Sequence, residues 1–148
     1  MAFFCGLLFW LGVFQLIALV FGVHHLRTLE VSARYSAAVM FALVGFSHMF
    51  RPERLDYMVP KIFPNPRFWV YLTGVLEIVF GIGLLFSPAK IACAWGLLAL
   101  LVMVFPANIN VAARNLPPPG GLPAKQWYVW TRLFFQPLYM AWIWFAVF

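Results

Sequence analysis

Five long apolar runs divide this chain, at Phe3–Val23, Tyr35–Phe50, Phe68–Phe86, Ile91–Ile109 and Trp127–Phe148. Each approaches the roughly 20 residues that a helix needs to cross the hydrocarbon core of a bilayer. Lipid offers no hydrogen bonds to the backbone, so runs this apolar are predicted as helices. The second run is short and extends either backwards through Val31 or forwards as an irregular segment. Five spanning helices are expected, with four as the main alternative.

The polar punctuation supports this division. Arg51-Pro52-Glu53-Arg54 stops the second run, because proline lacks a donor and restricts the residue before it. The segment from there to Arg67 holds Pro60, Pro64 and Pro66 with Tyr57 and Met58, and reads as an ordered, amphipathic surface stretch. Ser87-Pro88-Ala89-Lys90 predicts a tight turn between antiparallel neighbours, and Leu116-Pro117-Pro118-Pro119-Gly120-Gly121 an irregular connection. Trp69 and Tyr71, then Trp127, Tyr128 and Trp130, have the placing of interfacial aromatic belts. The first run has no basic residue before it and no small-residue cleavage site before His24, so it is expected to be a retained helix.

Composition narrows the class. Charged residues make up 9% of the chain and hydrophobic ones 65%, against about a quarter charged in soluble domains. The partner implied is the lipid bilayer. The net charge of +6 comes from basic residues scattered through loops, not gathered on a stripe, so no nucleic-acid partner is expected. Arg51, Arg54, Lys61, Arg67, Arg114 and Lys125 fall on one side of a five-span arrangement, and Arg27, Arg34 and Lys90 on the other. That bias predicts a cytoplasmic N-terminus. Cys5 and Cys93 open helices at opposite faces, too far apart for a disulfide, and read as small packing residues.

Depth in the membrane picks out the candidate chemistry. Glu77 stands alone in the third run, where a carboxylate costs roughly 2.5–3.5 kcal/mol on insertion scales and faces the bundle interior beside a partner. His48 ends the second run, Asn108 and Asn110 end the fourth, and Arg132 and Gln136 share a face of the fifth. All six belong to one half of the membrane. Glu77 and Arg132 are expected to form a bidentate pair. Its role is either a structural lock for the bundle or a proton or ligand site. Gly74 and Gly81 share the helical face of Glu77 and would let another helix approach closely. Pro106 bends or ends the fourth helix and frees carbonyls near Val102, which Asn108 and Asn110 can satisfy. Gln15, the strongly polar residue of the first run, is expected to bond across helices. His48 is open to reading as a proton carrier, a metal ligand or an interfacial cap. His24 and His25 lie at the opposite face, so no metal site is expected, and a lone histidine is more often structural. Glu77 and Arg132 nearby keep a hydrogen-bonding or proton role open.

From about Gly45 to Trp144 the chain resembles the DoxX family of small bacterial membrane proteins. The resemblance rests on Gly45-Phe46-Ser47-His48-Met49-Phe50-Arg51-Pro52-Glu53, on Gly74-Val75-Leu76-Glu77-Ile78 with Gly81 and Gly83, on Phe105-Pro106-Ala107-Asn108-Ile109-Asn110-Val111-Ala112, and on Arg132-Leu133-Phe134-Phe135-Gln136. It implies an all-α integral membrane bundle, with a four-helix DoxX-like domain over 31–148 and one additional transmembrane helix over 1–30. Asn110 stands where the family often has histidine, which weakens any metal reading. Phe134 and Phe135 replace the usual proline and leucine, so the fifth helix is expected to be less bent.

The function implied is that of a small accessory or assembly subunit of a membrane complex, redox-linked by the family's association with a thiosulfate:quinone oxidoreductase. It would sit in the bacterial inner membrane beside a membrane-protein partner or further copies. The alternative is an oxidoreductase subunit handling quinone or another lipophilic substrate, with Glu77 or His48 moving protons and Arg132 orienting an oxyanion. No flavin, nucleotide or iron–sulfur motif is present, so electrons would come from a partner or a bound cofactor such as quinone.

Overall fold

A computed structural model describes residues 2–117 and 125–148. The described residues are all-helical, without strands. Five α-helices follow in order: α1 (Ala2–Val20), α2 (Leu29–Phe50), α3 (Pro66–Gly83), α4 (Lys90–Ala113) and α5 (Gln126–Val147). Short 3₁₀ turns cover His24–Leu26, Pro52–Arg54 and Asp56–Met58. The short second run thus extends backwards, to Leu29.

Local chemistry sets the helix ends. Asn65 takes a left-handed conformation and hands the chain to Pro66, whose fixed φ suits the first helical position. At the end of α4, Asn115 is left-handed, its N–H donates to the Ala112 carbonyl and that of Leu116 to the Val111 carbonyl. This is a Schellman closure, with Leu116 folded back onto Val111 in the apolar contact such ends favour. Lys90 N–H donates to the Phe86 carbonyl at 2.9 Å, closing the α3–α4 turn. Most of the Pro/Gly-rich connection expected at 116–121 lies outside the described residues.

Successive helices run antiparallel. Ala2, Phe50, Pro66, Ala113 and Gln126 therefore share one end, called proximal below, and Val20, Leu29, Gly83 and Lys90 the distal one. α2 packs on α3, α3 on α4, α4 on α5 and α5 on α2, a closed ring with α1 laid against α2. Trp142 Nε1 donates to the Ala33 carbonyl at 3.0 Å across α5 and α2. Gln15 bonds across helices: its Nε2 donates to Ser32 Oγ at 3.0 Å and to the Leu26 carbonyl at 3.1 Å. An apolar core of Leu7, Ala37, Phe41, Leu84, Ala94, Leu97 and Ile143 fills the middle and distal part. A smaller core of Met58, Val111, Ala112 and Val129 closes the proximal end.

The outside of the ring is apolar on every helix, as at Phe9, Leu43, Val79, Trp95 and Phe134. Soluble monomers rarely expose such continuous apolar surface. Helices α1, α2 and α4 are long and apolar enough to cross a membrane, with mean hydropathies of 2.3, 1.3 and 2.0. Helices α3 and α5 fall outside that set. They are the two that carry Arg67 and Glu77, and Arg132 and Gln136, so the candidate chemistry itself lowers their hydropathy.

Candidate functional site

The closest helix contact builds the site. A Cβ on Gly74 would stand 2.6 Å from His48 Cβ and 3.0 Å from the Gly45 carbonyl oxygen, and one on Gly45 would stand 2.5 Å from the Gly74 oxygen. Only glycine at both positions lets α2 and α3 touch backbone to backbone. That approach brings His48, in the last turn of α2, to Glu77, near the middle of α3. His48 Nδ1 lies 3.3 Å from Glu77 Oε2, yet neither atom has a well-directed hydrogen bond among the described residues. Glu77 is 8% exposed, so two buried polar atoms stand ready for a further partner.

Arg132 is not the partner of Glu77. In the ring, α3 and α5 stand diagonally, separated by α2 and α4, so the expected bidentate pair does not form. The carboxylate meets the imidazole of its adjacent helix instead, and Arg132 takes part in neither ion pair found among the described residues. It lies half-buried on α5 with Tyr128, Gln136 and Tyr139 on the same helical face.

Between these groups lies a cavity of about 630 Å³ in the proximal half. His48, Glu77, Thr73, Asn108, Arg132, Gln136, Tyr128 and Tyr139 line it, with apolar walls that include Phe41, Val70, Trp69 and Phe63. A few polar groups converging in an apolar pocket of this size suit a drug-sized ligand. Asn108 Nδ2 donates to Gln136 Oε1 at 2.8 Å, and Gln136 Nε2 donates to the Leu101 carbonyl. That carbonyl is one residue before Val102, the acceptor that Pro106 leaves without its helical donor. Pro137, directly after Gln136, likewise removes a backbone donor from within α5, so that helix carries a proline although Phe134 and Phe135 stand before it.

Asn110, expected in the pocket, does not line it. Its Nδ2 donates to the Met58 carbonyl at 3.0 Å and holds the 51–65 segment down. That segment is tied at several points and forms the cavity's proximal cover through Leu55, Met58, Val59, Pro60 and Phe63. Arg67 Nε and Nη2 both donate to Asp56 Oδ2 at 3.2 Å, and Trp69 Nε1 donates to the Pro64 carbonyl at 3.1 Å. Tyr57 donates its hydroxyl to the Pro117 carbonyl at 2.5 Å. Burial pushes the Tyr57 phenol above its ordinary pKa, against the pull of the nearby Arg132 charge, so it keeps the proton it donates.

A family model described as a domain of unknown function (DUF8561) matches residues 37–147. The chain belongs to the DUF8561 family. The DUF8561 region runs from within α2 to the last turn of α5 and contains every cavity residue named above, while α1 precedes it. No curated protein and no solved structure matches the chain. Among the described residues of this DUF8561 protein, no three His, Cys, Asp or Glu side chains cluster as metal ligands do.

Sequence reasoning found His48, Glu77, Asn108, Arg132 and Gln136 but missed Thr73, Tyr128 and Tyr139. Helical spacing was the available signal: Thr73 is four before Glu77, and Tyr128 and Tyr139 flank Arg132 and Gln136 at four and three residues. Chemically, the arrangement offers a carboxyl–imidazole pair able to exchange a proton with a ligand, facing a guanidinium able to hold an oxygen.

Proposed function

We propose that this chain is a small integral membrane protein whose proximal cavity holds a lipophilic molecule with a polar, oxygen-bearing head, of the quinone class. In this reading all five helices span the bacterial inner membrane, with the N-terminus in the cytoplasm, where the basic excess of the proximal loops belongs. The protein serves as an accessory subunit, because its sequence carries no motif for a resident redox centre and electrons come from a partner. The resemblance to the DoxX family supports the link to a redox complex.

The observation that carries the proposal is the cavity of about 630 Å³ into which His48 Nδ1, Glu77 Oε2 and Arg132 converge without satisfying one another. Buried polar atoms in native proteins are overwhelmingly paired, and a ligand oxygen supplies the missing partner.

Binding of decylubiquinone to protein in mild-detergent micelles tests this directly. Glu77→Gln and Arg132→Ala are each expected to weaken it by about tenfold or more, equivalent to roughly 1.4 kcal/mol, in protein that stays folded. Mass spectrometry of material purified from native membranes should find a lipid-soluble oxygen compound, a stoichiometric membrane partner, or both. Wild-type affinity in both variants sinks the pocket assignment.

A further inference from the structure

Of the four gaps between the helices around the cavity, Gly45 against Gly74 closes the α2–α3 one and Asn108 bonded to Gln136 bridges the α4–α5 one. That leaves two flanks, and they are built differently. On one, between α2 and α5, the first turn of α1 fills the gap: the Phe3 ring stands edge-on to Phe41 at 5.1 Å and to Tyr139 at 4.8 Å. At the proximal end the tethered 51–65 segment lies across the opening. The remaining flank lies between α3 and α4. These helices touch closely toward the distal end, where Gly96 faces the Phe80 ring and Gly83 faces Cys93. In the proximal half the cavity reaches both helices, with Trp69, Val70 and Thr73 of α3 and Met103, Val104 and Ala107 of α4 among its walls.

On that flank Met103, seven residues after Gly96 and so on the same face of α4, lines the cavity while 63% exposed. A residue that touches both an interior cavity and the outer surface marks a mouth; Ala2, Ser47 and Phe63 do so toward the proximal end, and Met103 does so well inside the bundle. Met103 is ten residues from the end of α4, about 15 Å along the axis, which is hydrocarbon depth for a spanning helix.

We infer that the α3–α4 gap at Met103 is a lateral portal through which a ligand passes between the bilayer core and the cavity, without crossing water. This rests on the proposed membrane placement and on the cavity being a ligand site. Methionine suits such a gate, since its unbranched thioether has three rotatable bonds and swings aside at little cost. The portal selects an occupant already dissolved in lipid and rejects water-soluble solutes of the same size.

Two measurements test it in phosphatidylcholine–phosphatidylglycerol vesicles. First, a nitroxide is attached at Thr73→Cys inside the cavity, with Cys5 and Cys93 replaced by serine and alanine. The portal predicts that lipid-soluble oxygen relaxes the probe and that a water-soluble nickel chelate does not. The opposite pattern means an aqueous mouth and overturns the inference, whatever the ligand is. Second, decylubiquinone association and dissociation are followed in Met103→Trp and Met103→Ala.

A gate alters association and dissociation in the same direction, and by far more than it shifts Kd. The tryptophan is expected to slow both by about tenfold and the alanine to speed both. A changed Kd with an unchanged association rate makes Met103 a binding contact and overturns the portal. Oxygen access in protein that does not bind decylubiquinone supports the portal while refuting the quinone reading, so the two fail separately. Met103→Ala, which adds no bulk, keeps the kinetic test available should the tryptophan variant misfold.

Discussion

Replacing Gly74 by alanine should separate the two helices on which the site depends. The new methyl would stand 2.6 Å from His48 Cβ, 2.8 Å from Met49 Cε and 3.0 Å from the Gly45 carbonyl oxygen, where ordinary contact begins at 3.4 Å. The methionine tip can swing aside, but the other two atoms are fixed to the α2 backbone, so the helices must part by several tenths of an ångström. Overpacking of this kind costs about 1–3 kcal/mol, partly offset by a helix-propensity gain of roughly 1 kcal/mol for glycine to alanine. Gly12→Ala isolates the clash, because nothing lies within 4 Å of a Cβ there and only the propensity gain remains. Reversible unfolding in dodecyl maltoside titrated with dodecyl sulfate should place Gly74→Ala about 1–3 kcal/mol below Gly12→Ala. The same variant should lose ligand affinity, because moving His48 lengthens the 3.3 Å approach to Glu77. If Gly74→Ala proves as stable as Gly12→Ala, α2 and α3 do not meet at Gly45 and Gly74, and the origin given for the His48–Glu77 pair is wrong.

Other parts of the structure give simpler expectations. Gln136→Leu strands the Asn108 amide and loosens the Leu101 carbonyl, and should cost about 1–3 kcal/mol in the same unfolding assay. Asn110→Ala removes the hold on the Met58 carbonyl and should raise amide exchange across 55–60, with a stability loss of about 0.5–1.5 kcal/mol and no direct loss of a cavity-lining side chain. Arg67→Gln should change stability by no more than about 1 kcal/mol, because Arg67 is largely exposed in its pair with Asp56. Gln15→Leu, which loses bonds to Ser32 and the Leu26 carbonyl, should cost about 0.6–1.7 kcal/mol, the range of polar contacts between membrane helices.

The helices were legible in the sequence because a long apolar run, ended by Arg51-Pro52 or Ser87-Pro88, pairs its backbone groups most simply within itself. The small-residue face of α3 was legible for a related reason, since Gly74, Glu77 and Gly81 fall on one side at helical spacing and all three are buried. Depth was legible too, because rise per residue converts position into height. It correctly placed His48, Glu77, Asn108, Arg132 and Gln136 in the same half.

Azimuth was not legible, and every mistaken contact traces to it. Depth alone cannot say which helices are neighbours around the ring: it offers Glu77 the cation of the same half, Arg132, whereas the α2–α3 contact brings His48. Asn110 failed similarly: two residues beyond Asn108 on α4, it points about 200° away around the helix, toward the 51–65 segment and its Met58 carbonyl. The two errors share a consequence. Had Arg132 reached Glu77, the pocket would have been closed by its own charges and the bundle would need nothing more. Because α3 and α5 are diagonal, acid and cation line the same cavity without pairing, and the acid stands beside His48 instead. A lock brings its charges together, whereas this bundle holds them apart around a space. That separation is the physical ground for reading the polar centre as a binding site.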